Sequence, residues 1–171
     1  MELINLIFFP PTSMASSLSQ TVLFSILLFL SLHQACAKRT HLNFYFHVTD
    51  VQANATDYGT IIVMDQALRE GLDENSTLIG RVQGIQAAVG KDGSLETMFN
   101  FLFLNKQYNG STLAIYGRAP LETTIERPVI GGTGKFRLSH GYSLAKPVIL
   151  SATRLVYELD VYVWPLELKD D

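Results

Sequence analysis

The chain has 171 residues, a formal net charge of −3 and a single cysteine, Cys36. A chain of this length holds one domain of ordinary size with enough residues for a substantial core. The acidic balance and the scattered lysines and arginines argue against nucleic acid as the main partner, because phosphate contacts need a basic face.

The N-terminal segment has the pattern of a secretory signal. A predominantly apolar run, 22–32, interrupted only by Ser25 and Ser31, is followed by a short polar stretch and the small-residue triplet Ala35-Cys36-Ala37. This order predicts export and cleavage after Ala37. A membrane anchor is the alternative, but the run is much shorter than the ~20 residues that a spanning helix needs. We therefore expect no membrane attachment after cleavage.

The predicted domain boundaries follow from this cleavage site. Residues 1–37 form the signal peptide, with Met14 as an alternative start because Met14-Ala15-Ser16-Ser17-Leu18 opens a more ordinary signal, and 38–171 form the mature domain. The mature chain has no cysteine, so it forms no disulfide and depends on a packed core. We expect it in the extracellular space.

Three sequons agree with an exported protein. They begin at Asn54, Asn75 and Asn109. Combined with a signal peptide, they predict N-glycosylation at one or more of these residues. Chance matches that are never modified are the alternative, above all at Asn109, which lies in a tight turn.

The mature chain shows the period of two that is typical of β-strands, and no stretch of ten residues shows a helical period. Short alternating runs separated by turn residues predict an antiparallel sandwich or barrel of about eight strands, and sequential hairpins favour a closed barrel. The predicted strands are 41–48, 60–64, 78–89, 95–104, 113–117, 126–130, 136–150 and 153–164, with hairpin turns at 91–93 and 108–110. We expect a bulge or bend at the glycines of 78–89.

The run 98–104 is apolar on both faces. One face can fill the barrel, and the other then needs a cover of its own. The pattern therefore predicts an oligomer, with cover by the chain's own loops as the alternative.

The search for chemistry gives one candidate general acid. If the first strand continues to residue 50, Asp50 points to the same side as the apolar residues Phe44, Phe46 and Val48. A carboxyl group on an apolar face tends to have a raised pKa, which suits a general acid. The alternative is that the strand has ended and Asp50 caps a turn. The three mature histidines lack metal-site spacing. The cluster 131–134 lacks the ending of a phosphate loop. We expect no cofactor.

An ordered set of blocks resembles the plant dirigent proteins. The blocks are Phe44-Tyr45-Phe46-His47, Ile79-Gly80-Arg81-Val82-Gln83-Gly84, Met98 to Phe103 leading to Tyr108-Asn109-Gly110-Ser111-Thr112-Leu113, Tyr116-Gly117-Arg118, and Val129-Ile130-Gly131-Gly132-Thr133-Gly134-Lys135-Phe136-Arg137. The resemblance covers about 41–164. It implies an eight-stranded antiparallel barrel of the allene-oxide-cyclase-like type, a homotrimer, and secretion to the plant cell wall.

The resemblance also implies a function in phenylpropanoid chemistry. A separate laccase or peroxidase makes phenoxy radicals from monolignols, and the barrel binds these radicals and orients their coupling toward one lignan enantiomer. Candidate pocket residues are Phe44, Phe46, Arg137 and His140. Two alternatives are an acid-assisted cyclase or dehydratase that acts on quinone-methide-like phenolics, and a non-catalytic phenolic-binding module of the cell wall.

The sequence departs from the family pattern at three positions. Val48 stands where an aspartate usually follows the first-strand histidine, with Asp50 two residues on. Lys135 stands where several coupling members have an aspartate. His140 replaces an arginine, exchanging a fixed charge for one that titrates near neutrality.

Overall fold

The fold is that of a computed structural model, which describes Val22, Phe24, Ser25, 39–120 and 124–164. The chain divides into two compact units, Met1–Ala37 and Lys38–Asp171. Val22, Phe24 and Ser25 are helical, and the remainder of the predicted leader lies outside the described residues. No helix in the part of the chain that is described is long and apolar enough to cross a membrane.

The second unit is a closed barrel in which each strand pairs with its sequence neighbours and β1 pairs with β8. All eight pairings are antiparallel, as the sequence predicts. The strands are β1 Thr40–Val48, β2 Ile61–Arg69, β3 Leu78–Ala88, β4 Leu95–Phe103, β5 Thr112–Ala119, β6 Ile125–Thr133, β7 His140–Leu150 and β8 Leu155–Trp164. Closure leaves no unpaired strand edge in the sheet.

The barrel interior is filled by one side of the period-two pattern. On β1, Phe44 and Phe46 point inward and are almost fully buried, and on β8 Leu159, Val161 and Val163 do the same. The ring of Phe44 packs edge-on against the rings of Phe101 and Phe103, with centroids 5.9 and 6.0 Å away. Edge-to-face rings interlock in this way because the ring edge is positive and the face negative.

Most predicted strand limits agree with the structure to within two residues, and the larger differences lie in the second, sixth and seventh strands. The second is longer than 60–64 and runs to Arg69. The sixth runs beyond 126–130 to Thr133. The seventh is shorter than 136–150, because Gly134–Phe136 forms a 3₁₀ turn before β7 begins. A register shift between Leu68 and Arg69 places the predicted bulge at the start of β3.

Gly84 allows β3 and β4 to approach closely. A Cβ atom at this position would lie 2.0 Å from the carbonyl oxygen of Met98. Only glycine therefore fits there without displacing the facing strand.

Candidate functional site

A cavity of ≈ 150 Å³ lies at one end of the barrel, which we call the upper end. Here β1, β3 and β5 finish and β2, β4, β6 and β8 begin. The segment that joins β1 to β2 contributes Asp50, Val51, Gln52, Ala55 and Thr56 to its wall. Most of the lining is apolar, so the cavity suits a guest with a large apolar surface.

Aromatic side chains form one wall of the cavity. The ring of Phe46 stacks on that of Tyr157 with centroids 6.1 Å apart, and it meets the ring of Phe99 at a steep angle, 6.3 Å away. All three residues line the cavity. Rings held in this way offer a fixed surface on which a flat aromatic guest can stack.

Asp50 lies at the rim of the cavity. Strand β1 ends at Val48, so Asp50 lies beyond the strand, in a bend, and it is exposed. The side-chain amide of Gln66 donates to its carboxylate over 3.4 Å. Gln66 is in turn held by Thr49, whose backbone N–H and hydroxyl both donate to its amide oxygen. Gln66 thus holds the Asp50 carboxylate at the rim of the cavity.

Arg127 is a buried cation in the same cavity, only 4% exposed. Its Nη1 donates to the hydroxyl of Thr97 over 3.2 Å, and its Cζ lies 5.5 Å from the centre of the Phe99 ring. Burial lowers the pKa of Arg127 to about 10. Burial also raises the pKa of the Tyr157 hydroxyl, with the nearby Arg127 charge opposing this effect. At neutral pH the cavity therefore contains a cation and a neutral phenol.

The predicted pocket residues separate in space. Phe46 lines the cavity, whereas Phe44 lies in the core and borders a more polar hollow at the opposite, lower end. Arg137 and His140 are both exposed and are not part of the cavity wall, and the His140 ring stacks on that of Trp164 with centroids 6.1 Å apart.

Sequence reasoning missed Arg127. It lies between the charged Glu126 and Pro128, which hides its place in the strand. The signal that could have found it is its position in the strand, because Arg127 is two residues from both Ile125 and Val129 on β6, and Val129 is buried. A period-two strand sends all three to one face.

A second buried polar group lies outside the barrel wall. His47 is 2% exposed although it points away from the interior, because the β2–β3 connection covers it. Its Nε2 donates to the carbonyl of Gly71 over 3.0 Å, and Arg154 donates to its Nδ1 over 3.3 Å and to the carbonyl of Leu72 over 2.8 Å. Burial is the main reason why the pKa of His47 is lowered.

Among the described residues, no group of three or more His, Cys, Asp or Glu side chains is placed to hold a metal ion. The polar groups of the cavity can instead orient a guest, donate hydrogen bonds and exchange a proton at the rim.

Comparison with known proteins decides the family. The family model for dirigent-like proteins matches residues 39–164, which cover the whole barrel. The chain belongs to the dirigent family. The resemblance seen in the sequence is confirmed.

Relatives of two kinds are found in this family. Dirigent protein 1 of Arabidopsis thaliana is 37% identical over 144 residues, which cover 74% of this chain and 79% of the relative. Pterocarpan synthase 1 of Glycyrrhiza echinata is 33% identical over 147 residues, covering 74% and 78%. A solved pterocarpan synthase dirigent protein superposes with a TM-score of 0.68 at 33% identity, covering 74% of this chain and 87% of that structure.

Proposed function

We propose that this dirigent protein orients the coupling of phenoxy radicals derived from monolignols, and that a separate laccase or peroxidase supplies the oxidant. The oxidase removes one electron and one proton from each phenol, and two radicals then combine to form the new bond. The observation that carries the proposal is the partly enclosed, aromatic-walled cavity at the upper end. A cavity that fixes the orientation of one bound radical also fixes which face of that radical is open to the second radical.

The lining supports orientation in two ways. The rings of Phe46, Phe99 and Tyr157 set the plane of a flat guest. The polar groups set its direction, because Asp50 lies at the rim and Arg127 is buried. A guest whose two ends differ in polarity therefore binds in a single orientation.

The test is laccase-driven coupling of coniferyl alcohol with and without the protein, followed by chiral chromatography. We expect one enantiomer in excess with the protein present, and no consumption of the alcohol by the protein alone. Phe46→Leu removes an aromatic wall and lowers the excess. Phe103→Leu, the same change at the lower end, leaves the excess in place. A racemic product at saturating protein across several monolignols rejects this function.

A second candidate function is favoured by the pterocarpan synthase relatives and by Asp50. As an acid-assisted cyclase or dehydratase, the protein uses this carboxyl to move a proton on a quinone-methide-like phenolic. This function requires turnover without an oxidase, abolished by Asp50→Asn and retained by Asp57→Asn, an exposed acid of the same connection that is outside the cavity. Binding without turnover or stereochemical effect indicates a phenolic-binding wall module.

We propose that the outer face of β2–β5 is covered by further copies of the chain in a homotrimer. Val63 is 80% and Ile61 68% exposed, although both are large and apolar. The register sets Val63 beside Ile85, Ile85 beside Met98, and Met98 beside Tyr116, which makes a continuous apolar row. An exposed apolar surface of this kind is typical of a subunit contact.

We also propose that the protein is secreted to the cell wall and glycosylated. The side chains of Asn54, Asn75 and Asn109 are all exposed, which a glycan requires. N-terminal sequencing of protein from the plant apoplast is expected to start at Lys38, and deglycosylation is expected to lower the mass. An intact leader in the cytosol overturns this proposal.

A further inference from the structure

The guanidinium of Arg127 is held inside the barrel with most of its hydrogen-bonding capacity unused. Its one hydrogen bond among the described residues joins Nη1 to Thr97, whose hydroxyl already donates to the carbonyl of Gly117 over 2.9 Å. Nε is fully buried and has no acceptor. A buried charged group normally has its donors paired, because an unpaired charge in a poorly solvated site is costly.

No carboxylate compensates this charge within 39–120 and 124–164. The ion pairs in these ranges use His41, Arg81 and Arg118 as the cations. Asp50 shares the cavity but turns its carboxylate to Gln66. The buried part of the cavity wall thus carries the uncompensated charge of Arg127, while the Asp50 carboxylate lies exposed at the rim.

We propose that Arg127 is the recognition site for the carboxylate of an aromatic carboxylic acid, so that the cavity takes a phenylpropenoate in preference to the neutral alcohol. The planar guanidinium presents pairs of N–H groups that match the two oxygens of a carboxylate. The Phe99 ring beside it, with Phe46 and Tyr157, supplies the apolar surface for the rest of the guest.

Ionisation distinguishes a carboxylate from a phenolate as the matching anion. A carboxyl group is ionised above a pH of about 4 to 5, whereas a phenol is ionised only near pH 10. Between these values only the carboxylate brings a full negative charge to Arg127. The neutral hydroxyl of Tyr157 adds a second donor in the same wall.

The inference rests on the proposed function in taking a phenolic guest, but its test measures binding alone. Loss of stereocontrol with intact carboxylate binding removes the proposed function and keeps the recognition site. If coupling of coniferyl alcohol stays stereoselective without Arg127 and the protein shows no preference for the acid, the proposed function is kept and the recognition site is rejected.

The experiment is isothermal titration of the full mature protein at pH 6.5 with three probes. 4-Hydroxy-3-methoxycinnamic acid carries both groups, its methyl ester keeps only the phenol, and 3,4-dimethoxycinnamic acid keeps only the carboxylate. The variants are Arg127→Met, Arg127→Lys and the control Arg118→Met, which removes an exposed arginine outside the cavity.

We expect the two acids to bind roughly 10- to 100-fold more tightly than the ester, as the loss of a charge-assisted pair predicts. Arg127→Met should remove this preference, Arg127→Lys should retain part of it, and Arg118→Met should leave it unchanged. Thermal unfolding of each variant shows that it is folded. Equal binding of acids and ester by the parent overturns the proposal, as does an acid preference that survives in Arg127→Met. Weakening of the ester alone in that variant assigns the site to the neutral phenol group and also overturns the proposal.

Discussion

Replacing Arg127 by methionine should stabilise the protein although it removes a binding group. Burial lowers the pKa of Arg127 to about 10, well below that of a free arginine. A displacement of that size corresponds to about 3 kcal/mol, by which the folded state disfavours the charged form. Methionine fills a similar space without a charge.

The gain is reduced by what Thr97 loses. Its hydroxyl keeps its bond to the Gly117 carbonyl but no longer accepts from Arg127, a loss of about 1 kcal/mol. The net gain is about 2 kcal/mol, which for a domain of this size raises the melting temperature by roughly 6 °C.

Differential scanning calorimetry at pH 7 and equal protein concentration measures this change. The penalty is fully present at that pH, because the folded chain loses the proton only above pH about 10. Above a pH of about 10 the unfolded chain binds more protons than the folded chain, so stability rises with pH there. Arg118→Met is the control, because it breaks only an exposed ion pair with Asp92 and should change stability by less than about 1 kcal/mol. A melting temperature for Arg127→Met at or below that of the parent would show that the buried charge does not destabilise the fold.

Three further outcomes follow from other parts of the barrel. Val63→Asp should reduce the oligomer to monomers in light scattering. Leu150→Asp, which places the same charge on an exposed apolar residue of β7, should not. An unchanged mass for Val63→Asp contradicts the proposed trimer. Because the pKa of His47 is lowered in the folded state, the unfolded chain takes up this proton first, and stability should fall as the pH drops below about 6.5. The loss of melting temperature between pH 7.5 and 5.5 should be smaller in His47→Gln. An equally small loss in His140→Gln would show that His47 is not the group responsible. Gly84→Ala should destabilise the fold by about 3 kcal/mol or more in denaturant titration, since its Cβ meets the backbone of β4; a neutral effect would show that the strands can separate there.

The separation between predicted and missed site residues has a physical cause. Phe46 lines the cavity because a long strand with a clean period of two leaves its side chain no other direction. Arg137 and His140 lie near the 3₁₀ turn and the start of β7, and both are exposed. The alternation of strand side chains is interrupted there, so the sequence pattern does not indicate which way they point. Asp50 lines the cavity by a different route from the predicted one, since the chain bends after β1 and carries the carboxylate to the rim.

The sequence alone predicted an antiparallel all-β fold, because alternating apolar residues and tight turns at regular spacing bury one face as antiparallel strands, and its sequential hairpins favoured a closed barrel. It also carried the family resemblance. Only the tertiary structure decided that a cation lies in the cavity beside Phe99, that the outer row from Val63 to Tyr116 is continuous, and that His47 is covered. These facts depend on the stagger between strands and on the paths of the connections. Local residue patterns record which face a side chain takes, but not which distant neighbour it meets across a closed sheet.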